Sequence, residues 1–163
     1  MPKKAITESD VIDIDSYIKD RDSIKKKIKE HKNNRRVHVG PHATFYFESY
    51  DTMLYQVQEM LYIERGGREQ LQDELKAYNP LIPTGKSLVV TLMFEIDNPN
   101  VRKKFLNSIG GIENNTFIQV GNQKIYSRAE DDTNRTNEEG KASSVHFLHF
   151  DFDEPQIKLF SDM

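Results

Sequence analysis

Apolar positions in this chain follow two rhythms, and each rhythm predicts an element. Ile14, Tyr17 and Ile18 fall on one helical stripe, which Ile24 and Ile28 extend at a spacing of four. Thr7-Glu8-Ser9-Asp10 offers cap-competent side chains ahead of that stripe, and Asn33-Asn34 suits a left-handed stop behind it. Asp20-Arg21-Asp22-Ser23 is expected to divide the helix, with Asp22 or Ser23 capping the second half. The rhythm then changes to two. Val37 and Val39 alternate within Arg35 to Val39, Phe45 and Phe47 alternate within Thr44 to Glu48, and Gly40-Pro41-His42-Ala43 joins the pair as a hairpin. His38, Tyr46 and Glu48 fall on the faces opposite those apolar residues.

The clearest helix runs from about Asp51 to Arg65, where Met53, Leu54, Val57, Met60 and Leu61 recur at i, i+3, i+4 and i+7. Gly66-Gly67 breaks it, and Glu69 to Tyr78 resumes it until Asn79-Pro80. Ser87 to Ile96 is a nearly continuous apolar run rich in β-branched residues, which reads as a central strand. A short helix over Asn100 to Ser108 follows, ended by Gly110-Gly111. Gly121-Asn122 then marks a two-residue hairpin between Thr116–Val120 and Gln123–Arg128. Ser144 to Asp153 is the last strand, with Val145, Phe147 and His149 on one face and His146, Leu148, Phe150 and Phe152 on the other. Asp153-Glu154-Pro155 opens a terminal helix. Hairpins outnumber regular strand–helix–strand units. The expected fold is therefore a single α+β domain over residues 1–163, a largely antiparallel β-sheet with helices packed mainly on one face. A mobile acidic loop is expected at about 130–143.

Composition narrows the chemistry. The 163 residues are 36% hydrophobic and 30% charged, a mixture that supports one globular core. With no Cys, disulfides, a thiol nucleophile, thiolate zinc and cysteine-held iron–sulfur clusters are excluded. No apolar run approaches a membrane span, and nothing after Met1-Pro2-Lys3-Lys4 resembles a secretory leader, so the default address is the cytoplasm. The net charge of −3 is unevenly spread. Lys25, Lys26, Lys27, Lys29, Lys32, Arg35 and Arg36 cluster against Glu30 alone. That basic stretch admits a nucleic-acid reading, but overall acidity and the missing aromatic–basic strand signature make a solvated helix face the better one. Gly85-Lys86-Ser87 mimics the tail of a phosphate loop, yet it lacks the preceding Gly and leads into a strand rather than a helix.

Metal binding would have to use His, Asp and Glu. Glu59 sits at the edge of the core stripe of the main helix, where a carboxylate must reach solvent or be paired. Glu59, His146, His38 and Glu48 would form a site for iron, manganese or zinc if the helix crossed the sheet face bearing the others. The alternative is a buried ion pair, such as Glu59 or Glu64 with Arg65 or Arg36, with His146 a hydrogen-bonded core residue.

Several blocks carry a resemblance. They include Arg35-Arg36-Val37 through Val39-Gly40-Pro41, Tyr55-Gln56-Val57-Gln58-Glu59-Met60, Tyr78-Asn79-Pro80-Leu81-Ile82-Pro83, Gln119-Val120-Gly121 and Ser144-Val145-His146-Phe147-Leu148. Together they resemble the bacterial domain-of-unknown-function 3501 family across nearly the whole chain. The resemblance implies a gene neighbourhood with rubrerythrin-like and iron–sulfur proteins, hence a redox or peroxide-stress context; it supplies no catalytic residues. The expectation is an accessory or binding protein without catalysis of its own, needing no cofactor and engaging a protein partner through Tyr55, Gln56, Glu59, Tyr62 and Arg65. Its alternative is a small metal-binding protein or metal-dependent enzyme using Glu59, His146, His38 and Glu48.

Overall fold

The computed structural model describes residues 3–130 and 144–162, so the predicted acidic loop lies outside the described residues beyond Glu130. The fold is α+β, and its chain divides into two compact units that interleave in sequence: Met1–Arg35 with Glu48–Thr84, and Arg36–Phe47 with Gly85–Met163.

The first unit is helical. A 3-10 turn at Glu8–Asp10 precedes α1 (Ile14–Lys32), α2 (Tyr50–Glu64) and α3 (Gly67–Tyr78). Thr7 and Asp10 bond reciprocally around that turn, which uses up the predicted cap; Asp13 instead starts α1 by accepting from the Ser16 N–H. Against expectation, α1 runs unbroken through Asp20-Arg21-Asp22-Ser23. Asp20, Asp22 and Ser23 are solvent-exposed, where their polar side chains cost the helix little, and Arg21 is engaged elsewhere. Ser49 caps α2, accepting from the Thr52 N–H while its Oγ bonds His31 Nε2 at 2.9 Å. Ser49→Ala is expected to lower stability by about 1 kcal/mol in a thermal melt. Arg65, left-handed at φ 55°, ends α2, and Gly67 at φ 75° lets α3 start two residues later.

The second unit holds the sheets. Strands β1 (Arg36–Val39), β2 (Ala43–Phe47), β3 (Ser87–Phe94), β7 (Val145–Asp151) and β6 (Arg128–Ala129) lie in that order. Every described pairing is antiparallel. A separate hairpin joins β4 (Phe117–Val120) to β5 (Gln123–Tyr126), as Gly121-Asn122 predicts. Helices α4 (Pro99–Ser108) and α5 (Glu154–Ser161) complete the unit. Cross-strand partners share a face. The register Phe45↔Leu92↔His146 and Phe47↔Val90↔Leu148 therefore collects Phe45, Phe47, Leu92, Val90 and Leu148 on one apolar face. On that face Val90, Leu92, Phe94, Leu148 and Phe150 form the core with Leu106 of α4, Val120 of β4 and Ile125 of β5. The cover stops short of β1, whose residues are all exposed. It leaves an apolar groove of about 450 Å³ between Val37, Val39, Phe45 and the Ile112–Ile118 segment. Among the described residues no helix is long and apolar enough to cross a membrane.

Candidate functional site: a tyrosine–arginine face on the helical unit

In the helical unit, Tyr17 and Arg21 stand one turn apart on α1, so their side chains leave the same side of the helix. Both reach Glu59 on α2. The Tyr17 hydroxyl donates to Oε2 at 2.5 Å, Arg21 Nε donates to Oε2 at 3.0 Å, and Arg21 Nη2 donates to Oε1 at 2.9 Å. The carboxylate is thus gripped by a two-pronged guanidinium and a phenol, the strong charge-assisted arrangement. The alternative expectation is a buried ion pair of Glu59 or Glu64 with Arg65 or Arg36; the pair observed at Glu59 is half-buried and its cation is Arg21.

Tyr62, one turn beyond Glu59, extends the cluster toward solvent. Its ring meets Tyr17 edge-on at 6.1 Å, and the Arg21 guanidinium lies over it at 4.2 Å. Arg65 lies over the same ring at 5.2 Å, with its Nε donating to the Tyr62 carbonyl oxygen at 2.7 Å. Further along α2, Lys32 Nζ sits 5.5 Å from the Tyr55 ring, and Gln56 donates to the Tyr78 hydroxyl at 3.4 Å. All five residues predicted to bind a partner lie along α2 and its cap, and three of them, Glu59, Tyr62 and Arg65, belong to one chain of contacts with Tyr17 and Arg21 of α1. Tyr17 and Arg21 escaped the sequence reading of the site. The available signal was their spacing of four on the stripe that begins at Ile14, which the supposed break at Asp20 obscured.

Electrostatics hold these groups in fixed protonation states. Arg21 bonding lowers the Glu59 carboxyl below the ordinary glutamate range, aided by the Tyr17 hydroxyl and opposed by burial. Burial, then the Glu59 charge, pushes the Tyr17 phenol well above its usual value. The bond to Glu59 raises the Arg21 guanidinium still further. The carboxyl and the phenol are thus shifted in opposite directions, each further from neutral pH.

The signs give a pH prediction. Glu59 is more acidic folded than unfolded, so its stabilisation is complete above about pH 4.3 and is lost as pH falls through the folded value. Tyr17 is less acidic folded than unfolded, so its stabilisation is complete below about pH 10 and is lost as pH rises through the folded value. Thermal midpoints measured across pH should fall in both arms. Tyr17→Phe should flatten the alkaline arm, and an unchanged arm would assign that loss to other groups.

The residues of the predicted metal set are placed as follows. Glu48, buried just ahead of α2, accepts from the Thr52 hydroxyl at 2.9 Å, and Glu59 is held by Tyr17 and Arg21. In the sheet unit, exposed His38 bonds Thr44 Oγ1 through Nδ1 at 3.0 Å. His146 is fully buried, its ring edge-on to Phe94 at 5.8 Å. The register puts His38 with Thr44 and Met93 on one face of the sheet and His146 with Leu92 on the other, so the two imidazoles are not brought together. Among the described residues no three His, Asp or Glu side chains are grouped as a metal ion requires. Tyr46 donates to Glu95 at 2.7 Å. His149, on the His38 face of the sheet by register, bonds Glu130 Oε2 through Nε2 at 2.5 Å, a pairing that no local spacing signals.

Comparison with known proteins agrees with the fold. A crystal structure described as a novel protein of unknown function from Burkholderia pseudomallei is similar at 32% identity and a TM-score of 0.89, over 97% of this chain and 82% of that one. No curated protein matches. Residues 5–163 match the family described as Protein of unknown function (DUF3501), and the chain belongs to that family.

Proposed function

We propose that this is a non-catalytic accessory protein that binds another protein through the tyrosine–arginine face of its helical unit, in a redox setting. The observation that carries the reading is the fixed placement of Tyr62 and Arg65 over the Tyr17–Glu59–Arg21 network. Tyr and Arg are the side chains most often found where binding energy concentrates at protein interfaces. Side chains already held in place lose less freedom on association. Charge indicates the partner's sign. Lys25 and Lys29, four and eight residues beyond Arg21 on the same stripe of α1, are exposed, so an acidic surface is the complement. The redox setting rests on the gene neighbourhood implied by the family resemblance, and a rubrerythrin-like or iron–sulfur protein is the partner proposed.

The test is co-purification from the native cell. Tagged wild-type chain should bring down one of those neighbours, and Tyr62→Ala with Arg65→Glu should release it. Failure to recover a neighbour, together with a measurable turnover by the isolated chain, would overturn the reading.

A further inference from the structure

We infer that the helical unit also carries a binding cleft for a small zwitterion with an apolar body, the chemistry of a short peptide of large apolar residues. The cleft measures about 440 Å³ and lies among α1, α2 and the segment from Asp10 to Ile12. At about 30 Å³ per water it has room for roughly fifteen waters, enough for a dipeptide or a large amino acid, whose bonded atoms lie closer together than separate waters. Volumes of this order are typical of small-molecule sites.

Its walls are fixed before any ligand arrives. Buried Gln58 ties the Asp10–Ile12 wall to α2 by accepting from the Ile12 N–H at 2.7 Å and donating to the Ile12 carbonyl at 3.3 Å. His31, on the α1 side, is fixed by its bond to Ser49 at the cap of α2. Ile24, Ile28 and Leu54 provide half-buried apolar lining, a surface that favours hydrocarbon.

The rim supplies one available charge of each sign. Lys27 on α1 and Asp51 in the first turn of α2 line the cleft and are exposed. The second anion, Asp10, is already held by Lys3 at 2.7 Å. A carboxylate therefore suits Lys27 beside His31, and an ammonium suits Asp51. A purely apolar ligand would leave both charges unused, and a ligand of a single sign would meet one of them repulsively. Tyr17 and Tyr55 also line the cleft, so it adjoins the tyrosine–arginine network, but Tyr62 and Arg65 do not line it, and a ligand there can be tested apart from the partner.

Calorimetric titration of the full chain tests the inference with Leu-Phe dipeptide, its N-acetyl and C-amide forms, and free L-phenylalanine. A zwitterion should bind one to one, and blocking either end should weaken it about tenfold or more. Lys27→Gln should weaken forms with a free carboxylate, and Asp51→Asn forms with a free amine. Both residues are exposed, so the melting temperature checks that the variants stay folded. Tighter binding of Leu-Phe assigns short peptides as the ligand, and tighter binding of L-phenylalanine assigns free amino acids; both support the site. Absence of saturable binding, equal binding of the blocked forms, or indifference to both substitutions would overturn it.

Discussion

Tyr17→Ala is expected to remove about 3–5 kcal/mol of folding free energy, a large share of the 5–15 kcal/mol typical of a whole domain. Tyr17 is fully buried, so truncation leaves a ring-sized void between α1 and α2. The same change withdraws the hydroxyl from Glu59 and the ring edge from Tyr62. Tyr17→Phe separates the two effects. It keeps the packing and deletes a single hydrogen bond to an ionised group, worth about 1.5–3 kcal/mol. The Glu59 side chain keeps 13% of its exposure, so water and Arg21 compensate in part and the low end applies. Urea unfolding of the two variants measures both numbers. Wild-type stability in Tyr17→Phe would mean that Arg21 alone holds the carboxylate.

Leu148→Ala in β7 should cost about 3–5 kcal/mol, read as a fall in the urea midpoint at unchanged slope. Leu148 is 0% exposed, opposite Val90 in the register, within the cluster that includes Leu92 and Phe150. The β7 backbone is paired on both sides, by β3 and β6, so it cannot close over the missing methyl groups. Val37→Ala on β1 is the control. Val37 is 48% exposed beside the open groove, and its loss should change stability by about 0.5 kcal/mol or less. Equal costs at the two positions would mean that the apolar face is filled in a way its burial does not reflect.

Local rhythm carried most of the fold. The period of two in Thr44–Glu48 and the period near 3.6 in Asp51–Arg65 each express burial on one side, and the structure has β2 and α2 there. Turn chemistry placed Gly121-Asn122 between β4 and β5 for the same local reason. The break expected at Asp20–Ser23 misjudged exposed polar residues, which interrupt a helix only when something outside it binds them better. Chemistry was less legible. Glu59 needed a cation, and only the packing of α1 on α2, 38 residues away in sequence, decides that Arg21 supplies it. His38 and His146 can be assigned to strands from sequence, but opposite faces follow from register, which depends on three strand pairings at once. The His149–Glu130 bond likewise depends on the short β6 strand, too brief to leave a periodic trace.

The central claim is that the Tyr17–Glu59–Arg21 network presents Tyr62 and Arg65 to an acidic protein partner. Its most direct measurement is the affinity of the co-purified neighbour for wild-type chain, for Arg65→Glu and for Tyr17→Phe. The account predicts a loss of about tenfold or more in Arg65→Glu and a smaller loss in Tyr17→Phe, which alters only the support beneath the surface. Equal affinity for all three chains would contradict it.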